Sequence, residues 1–70
     1  MAVASVSTIT SASTESWQHA AQLGLKRASQ TLRGITGIKV IEEKAKVEDG
    51  EIVEFLVTLQ VIFLLEDGQD

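Results

Sequence analysis

The sequence predicts an α+β fold: a β-α-β-β subunit whose three-stranded antiparallel sheet packs around one helix. Three features of the chain lead there. Every second residue from Val53 to Leu65 is apolar (Val53, Phe55, Val57, Leu59, Val61, Phe63, Leu65), which is the period of a strand. The run Ser16 to Arg33 has no proline, is rich in Ala, Gln, Leu, Lys and Arg, and places apolar residues at helical spacing. Between two strand-like segments stands Glu48-Asp49-Gly50, a turn signal that joins them as a hairpin.

Taken in order, Val3 to Thr10 alternates β-branched and polar residues and is expected to form the first strand. Ser11-Ala12-Ser13-Thr14 is expected to break it, with Ser13 capping the helix and Glu15 in its first turn, where the helix dipole favours an anion. The helix stripe is Trp17, Ala20, Ala21, Gly24, Ala28, Leu32 and Ile35. Its small side chains let the helix approach a sheet closely. Leu23 lies off this stripe and is a candidate subunit contact. Gly34 is expected to end the helix. Gly37 to Glu48 is the second strand, with Ile38, Val40 and Glu42 on one face and Ile41, Ala45 and Val47 on the other. Ile52 to Leu65 is the third strand, long enough to pair beyond its hairpin partner. The acidic tail Glu66 to Asp70 is expected to fray.

The third strand also carries Ile52, Leu56, Ile62 and Leu64 in its opposite register. One helix covers only one side of a sheet, so this second apolar face calls for copies of the same chain. Composition agrees. Seventy residues make one domain (1–70), small enough that oligomerisation is a common source of stability. There is no Cys, so neither disulfides nor thiolate chemistry is available, and one His cannot build a His/Cys zinc site within a chain. A formal charge of -4 and three aromatic residues speak against nucleic acid as a partner. No run approaches the roughly 18 to 20 apolar residues that span a bilayer. A soluble cytoplasmic protein without a membrane partner is the default expectation.

Few residues suggest chemistry. His19 stands alone in the early helix; symmetry could gather copies of it around a metal. Glu42, Glu43, Glu48, Asp49 and Glu51 form an acidic patch, read as a solvated hairpin or, through symmetry, a cation site. Glu48-Asp49-Gly50 lacks the alternating oxygen ligands of a calcium loop. Trp17, at the front of the stripe, is read as core packing rather than a ligand platform. The Ser and Thr residues at 5, 7, 8, 10, 11, 13 and 14 have no acid or base partner apparent in the sequence, so no nucleophile emerges and no enzyme is expected.

Five segments, in their order and spacing, resemble the dodecins: Ser13 to Ala21 (STESWQHAA), Arg27 to Arg33 (RASQTLR), Val40 to Glu43 (VIEE), Val47 to Gly50 (VEDG) and Val57 to Asp67 (VTLQVIFLLED). The resemblance covers nearly the whole chain. It implies the β-α-β-β subunit, a hollow homododecamer of 23 symmetry, and FMN or riboflavin held in pairs near the three-fold axes. Some family members hold calcium or other ions. The ligand positions depart from the family pattern. Where members carry a Trp that stacks on the flavin ring, this chain has Gly37, which offers no π surface. A Gln that bonds the ring is matched by Leu56, without donor or acceptor. An Arg near the C-terminus is matched by Leu64, and a basic position of the second strand by Lys44. The resemblance therefore implies a small-molecule storage or sequestration shell with an altered flavin site, or alternatively a structural or cation-binding shell without flavin.

Overall fold

The computed structural model describes residues 3–65, so the tail expected to fray lies outside the described residues. The elements are β1 (Val3–Ser13), α1 (Trp17–Ser29), β2 (Ile35–Glu48) and β3 (Glu51–Leu65), the predicted order. The sheet runs β1-β3-β2, with both pairings antiparallel. β3 is thus the central strand: its extra length pairs with β1 from Val3↔Leu65 to Ser13↔Phe55.

Several boundaries differ from expectation, each for a local reason. β1 runs three residues past Thr10, because Ser11, Ala12 and Ser13 continue the ladder opposite Val57, Leu56 and Phe55. The helix cap is Ser16, not Ser13; its hydroxyl accepts from His19 N at 2.9 Å. Glu15 therefore precedes the helix instead of lying in its first turn. The helix ends at Ser29 rather than near Gly34. Hydroxyls draw on its last carbonyls there: Ser29 Oγ donates to Leu25 O (2.8 Å) and Thr31 Oγ1 to Ala28 O (3.4 Å). Gly34, at φ +72°, instead offers its carbonyl to Leu64 N across the sheet. β2 starts two residues earlier than predicted, at Ile35.

The faces of β2 are rearranged by irregularities at Ile35/Gly37, Val40/Glu42 and Lys46/Val47. Ile41 is the extra residue of the second. Ile38 and Val40 pair with Val61 and Leu59, whereas Glu42 pairs with Thr58. Paired residues share a face, so Glu42 lies opposite to Ile38 and Val40, and Glu43 and Ala45 join them. Strict alternation could not anticipate that inversion. The hairpin itself closes as predicted, through Asp49 (φ 53°) and Gly50 (φ 78°), the two positive-φ positions of a two-residue turn.

The core is narrow. Its buried apolar residues are Ala20, Ala28, Val57, Leu59 and Val61. α1 lies over β1 and β3 and barely reaches β2. Gly24 sets the approach: a Cβ there would come within 2.8 Å of Ser11 Oγ and 3.0 Å of Leu59 Cδ1. Ser11 Oγ cannot retreat freely, because it donates to Ala20 O at 2.6 Å. Gly→Ala in an open helix gains about 1 kcal/mol. Here overpacking outweighs that gain, and Gly24→Ala is expected to lose about 1 to 2 kcal/mol in urea denaturation.

The molecule measures 56 × 19 × 13 Å, with a radius of gyration of 14.7 Å. A compact chain of this length would have about 11 Å. Val6, Ile38, Val40, Ile41, Val47, Ile52 and Leu64 are among its exposed large apolar side chains. A thin plate with a small core and this much exposed hydrocarbon is a subunit shape.

Candidate functional site

Gly37, Lys44, Leu56 and Leu64 fall on the sheet face turned away from α1. Lys44 is the direct cross-strand partner of Leu56, and Gly37 that of Ile62, two residues from Leu64. One chain therefore brings the four together as two pairs, not as one pocket. Six residues of strand separate Leu56 from Ile62, about 20 Å. A small ligand touching both ends must draw them from different subunits.

At the first end, a Cβ built on Gly37 meets nothing within 4 Å. Gly37 lines a shallow depression of about 230 Å³ with Leu25, Ile35, Thr36 and Ile38. At the second end, Lys44 Nζ lies 3.7 Å from Glu42 Oε1, both side chains more than half exposed. Such a pair contributes little stability and leaves the ammonium accessible. The Lys44 carbonyl is tied down by Trp17, whose indole Nε1 donates to it at 2.9 Å. The Trp17 ring meets Phe55 edge-on, with centroids 4.8 Å apart and planes at 78°. Trp17 is thus a packing residue that fixes the backbone of Lys44.

Between the two ends runs a polar band absent from the sequence-based site. Thr10 and Thr58 are hydrogen-bonded at 3.1 Å, and Gln60 stands between Thr8 and Lys39. Its signal was present as the polar residues interrupting the even register of β3, but only the register with β1 and β2 shows that they align across three strands.

The expectation that no Ser has a base partner needs correction. Ser13, buried, places its Oγ 2.6 Å from His19 Nδ1, and Glu15 Oε2 lies 3.5 Å from the same nitrogen. A catalytic triad needs its carboxylate on the other ring nitrogen. Ser13 Oγ also accepts from Glu15 N at 2.9 Å. The cluster ties the end of β1 to the start of α1. The contact was hidden because β1 was expected to end before Ser13. Among the described residues, no three His, Cys, Asp or Glu side chains converge as a metal site, and no helix is long and apolar enough to cross a membrane.

This geometry defines a class: a small α+β subunit with one helix-covered face and one face left for association and binding. The sequence matches the Dodecin family over residues 3–66, and the chain belongs to that family. Among solved structures it is similar to the dodecin of Streptomyces davaonensis, with 33% identity, a TM-score of 0.88, and 94% and 97% of the two chains covered. A single-substitution variant of the Thermus thermophilus dodecin gives 30% identity and a TM-score of 0.90, covering 96% and 98%. The calcium-chelating antigen called calcium dodecin, from Mycobacterium tuberculosis, gives 28% identity and a TM-score of 0.79, with 97% of each chain covered. Comparison with curated proteins returns no match. Family membership makes this chain a small homo-oligomeric binding protein.

Proposed function

We propose that the protein assembles as a hollow homododecamer that stores or sequesters a small molecule, at a site altered so that flavin is not its cargo. The observation that carries this reading is Gly37, where the family resemblance calls for a stacking ring and the backbone stands open with no side chain. Leu56 adds to it, facing Lys44 where a polar partner for the ring edge is expected. A flavin bound here would lose its apolar platform, and each buried ring-edge group left unbonded would cost about 1 to 3 kcal/mol. The residues present do not fit a stacked flavin.

A second reading is a cation-binding shell. It is supported by the likeness to a calcium dodecin and by the acids Glu48, Asp49 and Glu51 at the hairpin, which symmetry could gather.

Titration of riboflavin or FMN with purified protein tests the main reading. The expected result is no stoichiometric quenching of flavin fluorescence at micromolar concentrations, alongside a mass by light scattering of twelve subunits of 7.6 kDa each. Micromolar or tighter quenching would overturn it. Calcium titration of chelator-dialysed protein separates the second reading, which requires saturable heat without flavin quenching.

A further inference from the structure

We propose that the groove between α1 and β1 seats the end of the β2–β3 hairpin of a second copy of this chain. The proposal rests on the homo-oligomeric reading and names one contact that builds the oligomer. The groove is a cavity of about 430 Å³ lined by apolar Ile9, Leu23, Ala28 and Leu32 and by several hydroxyl residues, with Arg27 its one cation. Leu23, on the groove wall, is 40% exposed.

The hairpin end offers a matching surface. Trp17, the first residue of α1, caps Phe55, so the pairs beyond it, Lys46↔Glu54, Val47↔Ile52 and Glu48↔Glu51, extend past the helix. Val47 and Ile52 stand side by side at 57% and 50% exposure, an apolar pair without cover from their own chain. Around them are Glu48, Asp49, Glu51 and Glu54, against the single cation Lys46, already 3.7 Å from Glu48.

Charge supplies the direction. Residues 16–41 contain Lys26, Arg27, Arg33 and Lys39 and no acid, whereas residues 42–54 contain six acids and two lysines. Of those four cations only Arg27 lines the groove, so the complement is between that one arginine and the acids of the apolar tip. Tip and groove cannot meet within one subunit. Ile9 of the groove is paired to Leu59, seven residues along β3 from Ile52, which is about 23 Å of strand. The contact must be between copies, and it joins two different surfaces. Heterologous contacts of this kind close into rings when the rotation permits.

The chain has no Cys, so engineered thiols report the contact cleanly. Leu23→Cys and Ile52→Cys are made as separate single variants, co-expressed and oxidised. The expected product is the covalent heterodimer, at least about fivefold over either homodimer. Homodimers in equal or greater yield, or no covalent dimer, overturn the proposal. In a second arm, Arg27→Glu and Glu51→Arg are each expected to raise the concentration at which the oligomer dissociates at least roughly tenfold, and their combination to recover most of it. A combination no better than either single change overturns the proposal. Light scattering of the unaltered chain runs alongside, with circular dichroism to confirm that the variants fold. A monomer there defeats the underlying oligomeric reading. An intact oligomer without the Leu23–Ile52 cross-link defeats this contact alone and leaves the groove to another occupant, such as a small apolar carboxylate or a different protein.

Discussion

A variant carrying Gly37→Trp and Leu56→Gln will quench flavin fluorescence where the unaltered chain does not. The open backbone at Gly37 permits the larger residue, since even the first side-chain atom meets nothing within 4 Å. The ring would stand on the sheet face turned away from α1, beside its cross-strand partner Ile62. An aromatic side chain offers about 150 to 250 Å² of surface. If roughly half of it is covered by a ligand ring at about 25 cal/mol per Å², the gain is about 2 to 3 kcal/mol. A Gln at position 56 adds about 0.5 to 1.5 kcal/mol as a hydrogen bond. Together they tighten flavin binding by roughly a hundredfold or more. Fluorescence titration of the double variant against both single variants checks this, with Gly37→Trp carrying most of the effect. A titration unchanged from that of the unaltered chain would mean that these positions are not where a flavin would sit.

Leu59→Ala will cost about 3 kcal/mol in chemical denaturation, as expected for a fully buried leucine whose site cannot collapse. Leu59 has no exposed surface, and its Cδ1 lies 3.0 Å from where a Cβ on Gly24 would stand. A chain of this size has a total stability of roughly 4 to 10 kcal/mol. One truncation thus removes a large share of it. Val53 belongs to the same alternating set but is exposed beyond the helix, so Val53→Ala is expected to cost less than about 1 kcal/mol. Equal losses at the two positions would contradict the narrow core. The comparison is best made at one fixed protein concentration.

The contrast between Leu59 and Val53 also shows what was legible in the sequence. The period of β3, the Asp49-Gly50 turn and the small-residue face of α1 are local patterns, and each found its element. Periodicity could not say how far along β3 the helix reaches, because that depends on where α1 begins. The cap decided this: Ser16 and Ser13 are equally plausible by residue type, and the choice fell to Ser16 once β1 kept pairing through Ser13. The bulge at Ile41 has no marker such as a glycine, so the faces of β2 could not be read from alternation. For the site, alternation placed only Leu56 and Leu64 on a common face; Gly37 and Lys44 join them there because of the bulge at Ile41, which alternation does not show. Their division into two distant pairs was not legible, since it depends on strand rise between residues far apart in sequence. The Ser13–His19 contact depended on the misplaced end of β1 and was lost with it.

The small core has a further consequence. Ala20, Ala28, Val57, Leu59 and Val61 are the buried apolar residues that one chain assembles by itself. When association adds to what so small a core supplies, the folded population follows mass action. Dilution then acts on this protein as a denaturant, and abundance sets how much of it is native. The stability of such a protein belongs to its population rather than to the molecule.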